Sequence, residues 1–509
     1  MNRFSRIIVL CLVSFVFSTL ALAQVGDLPR TTPEQQGMSS AGVERFIDSL
    51  FAVPETHLHH VMVLRHGAVV AEAHPAPFSP EYAHTEYSAS KTFVALGVGA
   101  AIDDNRLRLT DRVASFFPEK MPDSISPWLA QMTVRDLLIM GSGLEVSYSA
   151  LRANNDDWIR AFLATPPKHE PGTHFYYDSM CSYMLSAIVQ RVTGKTLLQY
   201  LQEKFFTPMH ITQAQWEQCP QGYNTGGWGL HVQAESLATL GILLLNRGNW
   251  NGQQLVSAQW IEEATTKQIE CAATNTPPTD GNQGYCYQIW RSKYPGSFRA
   301  DGAFAQYVVC VPQFDLVVVI NSLSYHGHDL LGTIWNHLIP AIVSEEPLPA
   351  QNKASTRLKK KCLAFTQPLT KGKSSSKLLR QLANNGIITI APDGCEPLTI
   401  TAVDDKHLTL DWRYGNHNIS HARLAFGQWE VESIHTLPLY TITARSRFDG
   451  IEPDYVCAGN YAWTSPSVLT MTVYYPNWIS ARTVTIDFDA HTVAVNDNFS
   501  PRKTDVIKF

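Results

Sequence analysis

The chain has 509 residues, of which 45% are hydrophobic and 17% charged, and its formal net charge at pH 7 is −5. This composition is typical of a globular enzyme, and the length allows two or more domains. The mildly negative charge and the absence of a basic stripe argue against nucleic acid as a partner. The sequence shows no repeat period, so we expect neither a solenoid nor a propeller.

The N-terminal segment has the parts of a secretory signal peptide, which we assign to residues 1–23. Arg3 and Arg6 form a basic start, an apolar core follows, and Ala21-Leu22-Ala23 places small residues at the cleavage site. The apolar core is shorter than the ~20 residues that span a membrane, which favours cleavage over a retained anchor. We therefore expect an exported protein, periplasmic or extracellular, without an integral membrane span once the signal is removed.

Loss of Cys11 with the signal peptide leaves an even number of cysteines. An exported protein can form disulfides, although a chain of this size can build its core without them. Cys310 lies in the apolar run 307–311 and resembles a buried strand residue. Cys271 and Cys286 are the pair that we expect first to be bonded.

Two predicted hairpins enclose a helical region in residues 24–345. The first joins residues 61–64 to 68–73, and the second joins residues 306–311 to 316–320. Helical patterns between the hairpins cover residues 134–140, 183–192, 234–246 and 258–265. We expect an α/β (α+β) domain in which an antiparallel sheet packs with helices and carries an inserted helical region.

The sequence changes character near residue 346. Residues 346–385 contain prolines and a run of lysines, and we interpret them as a solvated linker that holds at most a strand or two. Residues 386–509 contain short β-type runs separated by turns, including residues 439–444, and predict a separate antiparallel β domain, a barrel or a sandwich. No catalytic group of residues stands out in this second domain.

The Ser-x-x-Lys spacing occurs three times, at Ser88 to Lys91, Ser374 to Lys377 and Ser500 to Lys503. Only the first match opens a long segment of small and apolar residues that a core could bury. On a helix, residues three apart share a face, so the Lys91 amine can reach the Ser88 hydroxyl near the positive end of the helix dipole. Ser88 is therefore the candidate nucleophile.

Three motifs in order resemble a known family. They are Ser88-Ala89-Ser90-Lys91, the segment His174-Phe175-Tyr176-Tyr177-Asp178-Ser179, and Ala300-Asp301-Gly302-Ala303. The combination is similar to the serine β-lactamase and penicillin-binding protein superfamily, in the class C-like branch with secreted esterases, D-amino-acid peptidases and 6-aminohexanoate-oligomer hydrolases. The resemblance covers roughly residues 30 to 343 and implies the β-lactamase/transpeptidase-like fold.

The resemblance implies a role for five residues. Ser88 matches the acylated nucleophile, Lys91 its neighbouring amine, and Tyr177 the tyrosine that shares in proton transfer. Gly302 matches the glycine of the strand that edges the cleft, and the Ala303 N–H would form an oxyanion hole with the Ser88 N–H. Whether Lys91 or Tyr177 takes the serine proton stays open, and no metal or other cofactor is implied.

Two departures from the family pattern bear on the substrate. Ala300 stands where enzymes directed at β-lactams place a lysine, and Arg299 should point away from the cleft because neighbouring strand residues face opposite sides. Ser179 replaces an asparagine that would bond an acylamino group. We therefore expect a small-molecule ester, amide or peptide substrate, cleaved through an acyl-enzyme. A β-lactamase or D-Ala-D-Ala peptidase is the alternative within this family.

Two further interpretations belong to other classes. The histidines at 57–60 and 326–328 could suggest a metal site, but neither group has complete ligand spacing, and exposed loop histidines explain them better. A catalytically silent protein that binds cell wall or peptide would have no use for a serine beside an amine. The sequence leaves the oligomeric state and the role of the β domain open.

We predict that the exported chain begins at Gln24, because the small residues before it suit signal peptidase. Intact-mass measurement of secreted protein tests this, and a mass that includes Met1 would contradict it.

Overall fold

A computed structural model describes residues 28–145, 156–272, 276–382, 385–414, 417–435, 438, 449–453, 455–499 and 504–509. The assigned signal peptide, the strand predicted at residues 439–444 and the Ser-x-x-Lys match at residues 500–503 lie outside these residues.

The first domain is built on a six-stranded antiparallel sheet in which both predicted hairpins are present. The strand order is β2-β1-β11-β10-β9-β8. Valine and isoleucine dominate the central strands, where branched side chains pack well on a pleated surface. The strands of this sheet are β1 (Thr56–Arg65), β2 (Ala68–Ala73), β8 (Trp290–Arg291), β9 (Phe298–Gly302), β10 (Gln306–Val311) and β11 (Leu316–Ser324).

Helices cover both faces of this sheet, and the four predicted helical segments are helical. The helices of the first domain are α1 (Ser40–Phe51), α2 (Ser90–Asp103), α3 (Pro127–Gln131), α4 (Val134–Leu138), α5 (Trp158–Ala164), α6 (Ser179–Thr193), α7 (Leu197–Leu201), α8 (Ala234–Leu245), α9 (Ala258–Thr265) and α10 (Gly327–Thr333). Alternate residues of β10 face opposite sides, so Val308 joins the core formed with α2, α6 and α8, and Val309 joins the core formed with α1 and α10. No helix among the described residues is long and apolar enough to cross a membrane.

Short strands complete the first domain. One three-stranded sheet has the order β3-β5-β4, and a separate hairpin pairs β6 with β7. These strands are β3 (His84–Thr85), β4 (Gln215–Trp216), β5 (Leu230–Val232), β6 (Asn249–Trp250) and β7 (Gln253–Gln254). Strand β3 ends immediately before the chain turns toward Ser88.

The C-terminal residues form a separate antiparallel β domain, a half-barrel with its own apolar core. The order is β12-β13-β14-β15-β17-β18-β19-β20-β21, with β16 also paired to β17 and a short parallel contact between β15 and β17. The strands are β12 (Ile387–Ile390), β13 (Leu398–Ala402), β14 (His407–Tyr414), β15 (His417–Phe426), β16 (Glu430–Ile434), β17 (Tyr455–Trp463), β18 (Val468–Tyr474), β19 (Ala481–Asp487), β20 (Thr492–Asp497) and β21 (Thr504–Lys508).

The segment interpreted as a linker contains helices. Helix α11 (Asn352–Ala364) packs against α1 and β2, and α12 (Lys377–Leu382) follows. Arg357 binds Glu44 at 2.6 Å, and Lys361 binds Glu44 at 3.0 Å and Asp48 at 2.8 Å. The lysine-rich run is therefore partly neutralised by acidic side chains of α1, an ion pairing between distant segments that the local charge pattern did not reveal.

The histidines at 57–60 do not form an exposed loop. They belong to β1, where a bulge between Leu58 and His60 lets His59 and His60 both lie fully buried. His59 Nδ1 lies 3.0 Å from His84 Nε2, and His60 Nδ1 lies 2.8 Å from His74 Nδ1. Burial holds the pKa of both His59 and His60 well below the usual range, so both imidazoles are neutral near pH 7.

The expected bond between Cys271 and Cys286 is not formed. The Cys271 sulfur accepts a hydrogen bond from the Gly284 N–H at 3.2 Å, and the Cys286 thiol lies 3.3 Å from the Thr265 carbonyl oxygen. All eight cysteines of the described residues are free, and Cys310 is buried in β10 as expected.

We predict that dithiothreitol leaves the thermal midpoint unchanged, because none of the eight described cysteines is bonded. Thiol titration of the unfolded, unreduced mature chain should therefore count eight thiols. Two fewer thiols, with Cys271 and Cys286 unlabelled on peptide mapping, would contradict the structure.

Candidate active site

Ser88 lies in a tight 3-10 turn, Tyr87–Ala89, that runs directly into α2. Tyr87 adopts a left-handed backbone conformation with φ of 44°, which turns the chain sharply between β3 and the helix. The Ser90 hydroxyl fixes this turn, since it donates to the Tyr87 carbonyl at 2.6 Å and accepts from the Leu230 N–H at 3.1 Å. Ser88 is half-buried at the N-terminal end of the helix, where the helix dipole favours negative charge.

The Lys91 amine lies one turn further along α2 and has three polar neighbours. Its Nζ is 2.8 Å from Ser88 Oγ, 3.1 Å from Ser179 Oγ and 2.5 Å from the Gly227 carbonyl oxygen. A neutral amine has two N–H donors and one lone pair. It can therefore donate to Gly227 and Ser179 while its lone pair accepts the Ser88 hydroxyl proton.

Burial favours this neutral form of Lys91. The side chain is 1% exposed, and desolvation lowers its pKa from 10.5 to about 7, against the attraction of the Asp178 and Asp301 carboxylates. An amine with a pKa near 7 is half deprotonated at neutral pH, whereas an exposed lysine is almost entirely protonated. The pair of Ser88 and Lys91 thus has the geometry and the proton affinity of a nucleophile with its base.

Tyr177 lies beside the same amine. Lys91 Nζ is 4.8 Å from the centroid of the Tyr177 ring, within the range of a cation–π contact when the amine is protonated. The ring is held by Trp290 and Tyr285, with centroid separations of 5.4 and 6.1 Å. The structure therefore brings together Ser88, Lys91 and Tyr177, the three residues that the sequence predicted as catalytic.

Ser179 lies next to Ser88, Lys91 and Tyr177. In the sequence it is notable only as the residue that replaces an asparagine of the family. It supplies an oxygen to Lys91 at the start of α6, and Asp178 caps that helix by accepting from the Met180 N–H at 2.9 Å. Burial raises the pKa of Asp178 from 3.8 to about 6, with the nearby Lys91 opposing the rise. The Asp178 carboxylate is thus a second buried titratable group next to the amine.

Gly227 is required for the close approach of its carbonyl to Lys91. A Cβ at this position would lie 2.6 Å from Ser179 Cβ and 2.7 Å from the Ser179 carbonyl oxygen, closer than packed atoms allow. The glycine-rich run at residues 226–229 indicates a close backbone approach already in the sequence. That the partner is Lys91 is visible only in the folded structure.

Gly302 and Ala303 lie at the end of β9, next to the Ser88 turn. A Cβ on Gly302 would lie 2.4 Å from the Glu86 carbonyl oxygen and 3.2 Å from the Ala89 nitrogen, so strand and turn are in direct contact. Ala303 is exposed, and its carbonyl accepts from Gln306 Nε2 at 3.1 Å. This places Gly302 against the turn that carries Ser88, with Ala303 as the next residue of the chain.

A buried polar network supports the turn from behind. Glu86 is fully buried and accepts from Asn321 Nδ2 at 3.0 Å, and the same nitrogen donates to Gln306 Oε1 at 3.1 Å. Burial raises the pKa of Glu86 well above its usual range, which favours a neutral carboxyl group. Sequence reasoning missed this network, because its members are far apart in the chain.

Neither Ala300 nor the neighbouring Arg299 offers a free cation to a substrate. Ala300 is buried in the core with α2, so its position supplies no cation. Arg299 is 2% exposed and bound to the Asp301 carboxylate at 2.8 Å, and it donates to Ser292 Oγ at 3.0 Å. Its charge is already paired within the protein.

Two other groups of residues with catalytic or metal-binding chemistry can be compared with this site. Lys377 of the second Ser-x-x-Lys match is exposed at the start of α12. Among the described residues, a group with metal-ligating chemistry is Glu145 with His169 and His174, whose ligand atoms lie within 4.8 Å of one another. His169 Nε2 and His174 Nε2 lie 3.0 and 3.2 Å from the same oxygen, Glu145 Oε1.

The first domain is similar to proteins of known family. The family model described as Beta-lactamase matches residues 50–335, more than half of the chain. The 6-aminohexanoate-dimer hydrolase of Paenarthrobacter ureafaciens is 25% identical over 328 residues, which cover 59% of this chain and 83% of that enzyme. Protein flp of Staphylococcus aureus (strain COL) is 27% identical over 147 residues, 28% of this chain and 29% of flp.

The fold is also similar to that of EstCE1, a hydrolase with promiscuous acyltransferase activity. The TM-score is 0.50 and the identity 16%, over 60% of this chain and 99% of EstCE1. The chain therefore belongs to the β-lactamase family, and it is a serine hydrolase.

Proposed function

We propose that the protein is a secreted serine hydrolase that cleaves a carboxylic ester or a small amide through an acyl-enzyme on Ser88. The observation that carries the proposal is the 2.8 Å contact between Ser88 Oγ and an amine whose pKa burial lowers to about 7. A serine hydroxyl is a weak nucleophile until a neighbouring base accepts its proton. Neutral Lys91 is that base.

The reaction begins when Lys91 takes the Ser88 proton and the serine oxygen attacks the substrate carbonyl. The N–H groups of Ser88 and Ala303 stabilise the resulting oxyanion. Lys91 and Tyr177 relay the proton to the leaving group, which departs as an alcohol or an amine. In deacylation Tyr177 gives its phenol proton to neutral Lys91 and takes one from the water that attacks the acyl-enzyme. The Ser88 oxygen then leaves, regains a proton from Lys91, and the acid is released.

The choice of ester or small amide has two supports. The relatives include a hydrolase of the 6-aminohexanoate dimer and the hydrolase EstCE1. In addition, buried Ala300 and paired Arg299 leave no lysine-like cation at the position that holds a β-lactam carboxylate, and Ser179 is engaged by Lys91. A β-lactam substrate is therefore disfavoured.

We predict that Ser88→Ala abolishes hydrolysis of a nitrophenyl ester, with at least about a thousandfold loss of kcat, because the acyl-enzyme cannot form. The matched control is Ser374→Ala, which alters another Ser-x-x-Lys match and should keep wild-type activity. Covalent labelling with a fluorophosphonate should map to Ser88 by peptide mass spectrometry.

Full esterase activity in Ser88→Ala would contradict the assignment of Ser88 as the nucleophile. Labelling of the wild type at Ser88 by fluorescent penicillin at micromolar concentration would overturn the preference for esters and small amides over β-lactams.

We predict that kcat/KM rises with pH about tenfold per unit below pH 7 and levels off above it, because only neutral Lys91 accepts the serine proton. Asp178 holds the Lys91 pKa up, so Asp178→Asn should move the rising limb to lower pH, while asparagine still caps α6. Initial rates on a nitrophenyl ester, corrected for uncatalysed hydrolysis, test both. A rising limb that stays in place in Asp178→Asn would contradict the role of Lys91.

A further inference from the structure

The C-terminal domain contacts the chain that leads to Ser88. The loop between β18 and β19, residues 475–480, reaches the strand pair of β3 and β5. The Thr85 N–H donates to the Asn477 carbonyl at 2.9 Å, and Asn477 Nδ2 donates to the Ala83 carbonyl at 2.8 Å. Asn477 Oδ1 accepts from the Val456 N–H at 2.8 Å, which ties the loop back to its own sheet. The second domain therefore fixes the segment two residues before the Ser88 turn.

An apolar cluster from both domains lies directly behind this turn. Ile479 of the loop is fully buried against Tyr87 and Leu323, each 2% exposed. Tyr87 precedes Ser88 in the chain, and its ring packs on that of Phe304 with centroids 5.4 Å apart. Phe304 in turn follows Ala303, so this cluster joins the neighbours of both backbone donors of the oxyanion hole.

Partly exposed aromatic side chains extend the cluster outward, and we call Phe304, Tyr325 and Phe499 the aromatic shelf. Phe304 and Tyr325 make an edge-to-face contact at 5.5 Å, and Phe499 packs on the same apolar cluster. The Tyr325 hydroxyl donates to the Phe499 carbonyl at 2.5 Å, which joins the two domains at the surface. Tyr325 is 54% exposed, unusually high for a large aromatic side chain.

We propose that the aromatic shelf binds an apolar part of the substrate, so that the site for the ester or small amide is completed by the C-terminal domain. The shelf begins one residue after Ala303, and Phe304 packs on Tyr87, the residue before Ser88, so the shelf borders both residues whose N–H groups we assign to the oxyanion hole. When an alkyl or aryl group covers this exposed aromatic surface, apolar area is removed from water and the binding free energy becomes more favourable. The preferred substrate carries such a group on the scissile carbonyl or on the leaving alcohol or amine.

This inference rests on the proposed hydrolysis at Ser88, and its test compares ratios of kcat/KM. One series varies the acyl chain, with nitrophenyl acetate against nitrophenyl hexanoate, and the other varies the alcohol, with ethyl acetate against hexyl acetate. In Phe499→Ala and Tyr325→Ala, the preference for the longer substrate should fall about tenfold in at least one series. The responding series identifies which part of the substrate covers the shelf.

The matched control is Phe488→Ala, since Phe488 belongs to the same domain and packs on Trp463 but is not part of the apolar cluster of Tyr87, Leu323 and Ile479. This variant should keep the wild-type ratios. Circular dichroism would reveal whether Phe499→Ala unfolds. Tyr325 lies in the first domain and is exposed, so Tyr325→Ala remains informative in that case.

Ratios in both shelf variants equal to those of the wild type would overturn the inference while leaving hydrolysis at Ser88 intact. A wild-type protein without Ser88-dependent hydrolysis of any of the four esters or of the corresponding nitroanilides would instead overturn the proposed function itself.

Discussion

The active site depends on the burial of one amine. Lys91 is packed where water cannot solvate its charge, and three oxygen atoms take the place of water around it. Each oxygen comes from a different part of the chain, so the start of α2, the start of α6 and the glycine-rich turn must meet within hydrogen-bond distance. Gly227 also has no room for a side chain, because a Cβ there would lie 2.6 Å from the Cβ of Ser179, another neighbour of the amine.

Sequence reasoning was effective where the signal was local. The Ser-x-x-Lys spacing together with the apolar run behind it separated Ser88 from two other matches, and alternating or helical apolar patterns located the hairpins and the main helices of the first domain. Tyr177 and Gly302 were accessible through the resemblance to a family, and the structure brings both to Ser88 and Lys91 or to the adjoining turn.

Sequence reasoning failed where a residue depends on a distant partner. The basic run of α11 gives no local sign of its ion pairs with α1, because Glu44 and Asp48 lie some three hundred residues earlier in the chain. Lys359 and Lys360 are exposed, as expected. Histidines 59 and 60 are polar and clustered, which suggested a loop, yet hydrogen bonds between imidazoles make their burial tolerable. Likewise, the network of Glu86, Asn321 and Gln306 joins elements that no short motif connects.

The buried histidines make the free energy of unfolding depend on pH. Burial lowers the pKa of His84 and His231 to about 3, and His231 packs on Trp478 of the C-terminal domain at 4.9 Å. An unfolded chain binds these protons near pH 6.5, whereas the folded chain resists them until about pH 3. Between those values the unfolded state holds more protons, so the free energy of unfolding decreases as the medium is acidified. These histidines therefore contribute their full stability, including that of the His231 contact with the second domain, only above about pH 6.5.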